Sequence, residues 1–163
     1  MKTLLLMRHA KSSWDDARLR DIDRPLNDRG RRDVPAMGDR LAKRDIFPDM
    51  IMSSPAERAS HTATIIAPYV KMPASHIVLA DELYMANADI FLSIVQLCDD
   101  NVDTLMLISH NPGITQFAGQ LTDCPIDHMP TAAIFIANFD VKAWHEVTPG
   151  SGEYVAFEYP KKY

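Results

Sequence analysis

The stretch Thr3–Ser13 reads TLLLMRHAKSS: four apolar residues, Leu4 to Met7, end abruptly on Arg8 and His9. An unbroken apolar run of this length suits a strand buried on both faces of a parallel sheet, and it is too short for a buried helix. Two runs of the same character follow, Asp49–Ser53 (DMIMS) and Asp103–Ser109 (DTLMLIS). Weaker strand signals lie at 76–80 (HIVLA), 133–139 (AIFIANF) and 153–159 (EYVAFEY), the last alternating as an edge strand does.

Helical patterns separate these runs. Val34, Met37, Leu41 and Ala42 recur at 3–4 spacing within 28–44, and Pro35 inside that stretch predicts a kink or a late start. Residues 55–70 open with Ser54 as N-cap, Pro55 at the first helical position and Glu57 three residues after the cap, which together make a capping box. Ala59, Thr62, Ile65, Ile66 and Tyr69 supply the apolar face, and two more helices are expected over 88–98 and 113–122. Strands alternating with helices predict an α/β fold, a three-layer α/β/α sandwich around a mostly parallel sheet. With no repeat, low-complexity tract or linker in view, one domain spanning 1–163 is expected, and TPGSGE (148–153) reads as a surface loop.

Composition narrows the function classes. A chain of 163 residues can bury roughly 70% of its unfolded surface, enough for a real core. Hydrophobic residues at 47% and charged residues at 24% speak against disordered and membrane classes. A net charge of −5 speaks against a general nucleic-acid binder. Cys98 and Cys124 stand 26 positions apart without a CxxC partner, so free thiols are expected. The apolar start is too short for a signal-peptide core, and no run approaches the ~20 residues of a membrane span. The expectation is a cytoplasmic protein without nucleic-acid or membrane partners.

In open α/β sheets, ligands bind outside the carboxyl ends of the strands. The first strong strand delivers Arg8 and His9 there, the second Ser53, Ser54 and a helix with Arg58 in its first turn, and the third Ser109, His110 and Asn111. Two histidines and two arginines thus converge on one edge. A cation in a first helical turn faces the positive end of the dipole, which is unfavourable unless an anion sits between them. Two guanidiniums match the oxygens of a phosphoryl group, and a neutral imidazole is a competent nucleophile toward phosphorus. Phosphoryl transfer needs positioning and charge stabilisation, which this set supplies. No HxxxH, HExxH or carboxylate-rich cluster points to a metal, and no cofactor is expected.

LMRHA, then RPLNDRG, SSPAERASHTA and ISHNPG, in that order from Leu4 to Gly113, resemble the histidine phosphatase superfamily, and the DRPLNDRG form is most similar to its SixA-type phosphohistidine phosphatase branch. The resemblance implies a phosphoglycerate mutase-like fold and a hydrolase that removes phosphate from protein-bound phosphohistidine. His9 is then the nucleophile, and Arg8, Arg58 and His110 complete the phosphate pocket. Arg24, Ser12, Ser13 and Asn111 are implied as further phosphate or substrate contacts. The partners implied are phosphohistidine-bearing phosphotransfer domains or phosphocarriers of signal transduction, with phosphate or sulfate as pocket ligands.

Two departures matter. Position 10 is alanine where the superfamily usually has glycine. Larger members carry a proton-donating acid two residues after a leucine; counted from Leu83 in ADELYMANAD, that position is Met85. Asp81 and Glu82 are near but out of register, with Glu82 the possible displaced acid. An alkoxide leaving group needs such an acid, worth ~10²–10⁴-fold, whereas phosphohistidine leaves as imidazole. The alternatives are a small-molecule phosphatase or mutase using Glu82, and a non-catalytic phosphate-binding module.

Overall fold

The computed structural model describes all 163 residues. Six strands form one sheet: β1 (Lys2–Arg8), β2 (Met50–Ser53), β3 (Val78–Leu79), β4 (Thr104–Ser109), β5 (Ile134–Phe139) and β6 (Glu153–Glu158), in the spatial order β3-β2-β4-β1-β5-β6. The pairings β1–β4, β4–β2 and β2–β3 are parallel, while β5 and β6 join antiparallel on one side. The expected α/β sandwich is therefore present, and EYVAFEY does form an edge strand.

Helices α1 (Asp28–Lys43) and α2 (Glu57–Ile66) cover one face, and α3 (Ala88–Gln96) and α4 (Gly113–Leu121) the other. Each central strand divides its side chains between the two. Leu4 and Leu6 join Phe91, Phe117 and Leu121, whereas Leu5 and Met7 join Val34, Met37 and Ile66. Double-sided burial is why TLLLM lacks polar alternation. Each such leucine stabilises the fold by about 1.5–3 kcal/mol relative to an exposed one, which makes β1 and β4 a rigid base for whatever follows them.

Two local expectations change. Pro35 does not delay α1, which starts at Asp28; the side chain of Asn27 caps it by accepting the Gly30 N–H at 2.9 Å. The capping box at Ser54 does not form: α2 starts at Glu57, with Ala56 at its N-cap and no side-chain cap. The Ser54 hydroxyl serves His110 instead, as described below.

The DRPLNDRG segment has an architectural task. Asn27 N–H donates to Lys11 O at 3.0 Å, Ser13 N–H to Pro25 O at 2.8 Å, and Ser12 bridges Leu26, so this segment clamps the loop after β1. A Cβ on Gly30 would lie 2.2 Å from the Lys11 carbonyl oxygen, so only glycine lets α1 approach that loop.

Candidate active site

β1 and β4 are neighbours in parallel register, with Arg8 opposite Ser109, so His9 and His110 leave the sheet side by side. Their ring centroids are 5.1 Å apart. The His9 backbone is fixed on both sides: its N–H donates to Ser109 O at 3.1 Å and its carbonyl accepts from Ala132 N–H at 3.0 Å. The next peptide N–H, from Ala10, donates to Thr62 Oγ1 at 3.0 Å, and the Thr62 hydroxyl donates to the Arg58 carbonyl at 2.7 Å. Ala10 itself has an ordinary negative φ, and its methyl group is buried in the core under α1 and α2. The alanine in place of glycine thus costs no backbone strain.

His9 Nδ1 lies 2.7 Å from the Ala10 carbonyl oxygen. A carbonyl only accepts, so Nδ1 carries the proton and Nε2 keeps its lone pair. Burial pushes the His9 imidazole down to about 3; the Ala10 bond opposes that, and His110, Arg58 and Arg8 reinforce it. His110 is likewise lowered to about 4, by burial first and then by Arg58, with Asp21 opposing. His110 Nε2 is 2.7 Å from Ser54 Oγ, and that hydroxyl oxygen accepts the Ala56 N–H at 3.2 Å. Both imidazoles are neutral at ordinary pH, one of them with its nucleophilic nitrogen uncommitted.

Arg8, His9, Ser12, Arg24, Arg58, His110 and Asn111 line one cavity of about 300 Å³, together with Lys11, Trp14, Asp21 and Thr131. Arg24 and Arg58 are buried, and Arg8 is partly buried. Arg8 Nη1 donates to Met129 O at 3.1 Å, while Arg8 Nε and His110 Nδ1 are buried without a protein partner. Such orphaned groups cost about 1–3 kcal/mol each, and an oxyanion is the chemistry that suits this cation-rich wall. Arg24 donates to Ser13 O at 3.1 Å and to Ser12 Oγ, and Trp14, largely exposed, stacks 3.3 Å from its guanidinium.

Two sequence-predicted contacts fall outside this cavity. The Ser13 hydroxyl turns away to accept the Asp15 N–H at 3.1 Å. Glu82 lies in a groove beside α3, with Met50, Met52 and Ile94, and does not line the histidine cavity. Asn111 lines the cavity, but its side chain is held by Met129 O at 3.0 Å and by Thr115.

Sequence reasoning missed Asp21. The anion that accompanies Arg58 at the start of α2 is this carboxylate: Arg58 Nη2 donates to Asp21 Oδ2 at 3.0 Å and Nη1 to the Asp21 carbonyl at 2.7 Å. Arg24 Nη1 reaches Oδ1 at 3.2 Å, and the Tyr84 hydroxyl donates to Oδ2 at 2.6 Å. The Tyr84 bond, followed by Arg58 and Arg24, holds the carboxyl down at about 2 against the opposing effect of burial. It is the one carboxylate on the cavity wall, and it has no proton to give near neutral pH. Past Arg58, His110 and Asn111 an adjoining space of about 350 Å³ opens, lined also by Asp21, Tyr84 and Met85. Position 85, where the larger relatives' acid is expected, thus does face the site, and it carries a thioether.

The family model of the histidine phosphatase superfamily (branch 1) matches residues 4–86. An uncharacterized protein of Mycobacterium tuberculosis is 30% identical over 165 residues, covering 95% of this chain and 100% of its own length. The tungstate complex of the protein histidine phosphatase SixA has a TM-score of 0.82 at 22% identity over 97% of both chains. A protein from Agrobacterium tumefaciens, assigned as phosphohistidine phosphatase SixA, has a TM-score of 0.81 at 25% identity, covering 98% of this chain and 99% of that one. On these matches the chain belongs to the histidine phosphatase superfamily, and its fold is the phosphoglycerate mutase-like fold of the SixA type.

Proposed function

We propose that this protein hydrolyses phosphohistidine on other proteins through a phospho-His9 intermediate. The observation that carries the reading is a cavity with a neutral nucleophile, three arginines and a single carboxylate that is fully ionised. In this reading Arg8, Arg58 and Arg24 hold the non-bridging oxygens, and His110 donates to one of them. The His9 Nε2 lone pair attacks phosphorus, the P–N bond to the substrate imidazole breaks, and that electron pair returns to the leaving nitrogen. Water then attacks phospho-His9, regenerating the imidazole and releasing phosphate. Alkyl phosphates need a proton donor at the leaving oxygen, worth ~10²–10⁴-fold, and Glu82 in its separate groove does not favour that role.

The SixA-type likeness supports phosphotransfer domains or phosphocarriers as substrates, which belong to cytoplasmic signal transduction. No helix is long and apolar enough to cross a membrane. The test is to offer a phosphohistidine protein, a phosphoserine peptide, an aryl phosphate and sugar phosphates to the same preparation. Fast turnover of the first, some of the aryl ester and little of the others is expected. Comparable rates on alkyl phosphates would overturn the reading. His9→Ala should abolish turnover and trapping of an acid-labile phosphoryl-enzyme while the circular dichroism spectrum is retained.

A further inference from the structure

The histidine cavity and the adjoining space share Asp21, Arg58, His110 and Asn111, but His9 lines only the first. In phosphoryl transfer the attacking and leaving atoms are roughly in line. A leaving group expelled from a phosphoryl held against His9 therefore needs room beyond the arginines, and the adjoining space supplies it. At the junction stand the Asp21 carboxylate and the Tyr84 ring. Asp21 Oδ2 is engaged by Tyr84 and Arg58, and Oδ1 only by Arg24. With its side chain 51% exposed, the carboxylate can accept a further donor through Oδ1. No other acidic side chain lines either space.

We infer that Asp21 and Tyr84 form the leaving-group subsite, and that Asp21 selects substrates whose phosphoryl group is carried on a protonated imidazole ring. The inference rests on the phosphohistidine reading above. An N-phosphoryl imidazole protonated at its distal nitrogen can donate that N–H to Asp21 Oδ1. When His9 Nε2 forms its bond to phosphorus and the P–N bond to the ring breaks, the pair of electrons goes to the ring nitrogen. The ring departs as neutral imidazole, keeping its distal proton, and no proton has to be delivered in flight. Without that proton the leaving group is an imidazolide anion, expelled beside a carboxylate. A phenolate or alkoxide meets the same repulsion. One charge thus favours the cationic ring and disfavours ester leaving groups. Tyr84 contributes the hydroxyl that fixes Asp21 and a flat aromatic wall whose edge meets His110, with centroids 5.6 Å apart.

The charged and titratable groups facing Asp21 are Arg24 on its own turn, Arg58 from α2, Tyr84 and His110. His110 is held neutral by burial, and the Tyr84 phenol is raised by its bond to Asp21. A change in rate just above neutral pH therefore reports the substrate ring. The experiment measures kcat/KM against pH for a phosphohistidine protein and for p-nitrophenyl phosphate, with the wild type, Asp21→Asn, Asp21→Glu and Tyr84→Phe.

Asp21→Asn should lower the phosphohistidine-to-aryl ratio by about tenfold or more, the factor equivalent to one pKa unit. Its alkaline limb on phosphohistidine should move down by about one pH unit, and Asp21→Glu should restore part of both. Tyr84→Phe should lower the ratio in the same direction by less, and it carries the test alone if Asp21→Asn does not fold. Equal losses on both substrates with an unmoved alkaline limb would overturn the inference, leaving Asp21 as a mere prop for Arg58. An unchanged ratio in Tyr84→Phe would overturn it as well. Wild-type protein that hydrolyses esters but not phosphohistidine defeats the underlying reading, and that failure is visible before any variant is made.

Discussion

Two ion clusters in this molecule share a composition, several cations about one carboxylate, and are built in opposite senses. Around Glu158 the anion is buried, its side chain 3% exposed, while Arg40, Arg44 and Lys162 are 21%, 39% and 30% exposed. Around Asp21 the carboxylate is 51% exposed, while Arg24 and Arg58 are 9% and 8% exposed. Long basic side chains ordinarily keep their heads in water and lay their stems on the protein, as the first cluster does. There Arg40 also donates to the carbonyls of Tyr159 and Pro160, and Lys162 to Phe157, so the cluster staples the end of the chain to α1. Burying guanidiniums beneath an exposed anion runs against that habit and is costly for stability. The direction of burial separates a staple from a site: both clusters border a hollow, but only the second sets buried guanidiniums beside two imidazoles.

The largest effect that could break this contrast is on turnover. Arg58→Ala should reduce kcat/KM by about 10²–10³-fold, the loss typical of a preorganised oxyanion donor, whereas Glu158→Gln should leave steady-state kinetics unchanged. Comparable kinetic losses in the two variants would erase the distinction. Next in size, Glu158→Gln should lower stability by about 1–3 kcal/mol, the worth of hydrogen bonds to a charged acceptor, read from urea midpoints.

The pH dependence sharpens the contrast further. Unfolded His9 and His110 bind protons below about pH 6.5, while the folded residues, lowered to about 3 and about 4 mainly by burial, do not. The unfolded state therefore holds more protons between those limits, and stability should fall as pH drops from 6.5 toward 4. His9→Ala should flatten that slope. Glu158 is pushed up by burial but held below its ordinary value on balance by Arg44, Lys162 and Arg40. Its contribution is present above the unfolded carboxylate range and lost at lower pH, as the folded group protonates. Midpoints measured against pH in the two variants should thus deviate from the wild type in separate windows. The smallest effect is Arg44→Ala: Arg44 is itself exposed and Glu158 keeps Arg40 and Lys162, so the loss should stay at about 1 kcal/mol with no change in activity.

The strands that carry the site were legible because double-sided burial writes itself as TLLLM and TLMLIS, and the residues after them could be placed without any tertiary information. His9, Arg8, Arg58 and His110 converge for that reason. Ser54 was misread because its local signal as a cap is real, but His110, 56 positions later at the end of another strand, competes for the same hydroxyl. Asp21 and Tyr84 carry no local signal at all. They sit on short turns where periodicity says nothing, and 63 positions separate them. The pairing exists only once α2 has brought Arg58 between the two segments. Glu82 drew attention as an acid near the expected register, yet the single turn Asp81–Leu83 buries Leu83 in the core and leaves Glu82 on another surface.

Thr62 joins the peptide after His9 to the carbonyl of Arg58 through one hydroxyl, donor to one and acceptor from the other. His9 and Arg58 are therefore referenced to a common point, and neither can drift without the other. Replacement by valine keeps the shape and deletes both bonds. Such an enzyme should still capture oxyanions with little loss, yet attack them from a less constrained approach. Affinity and turnover, locked together in the parent, would then become separately adjustable at a side chain that substrate never touches.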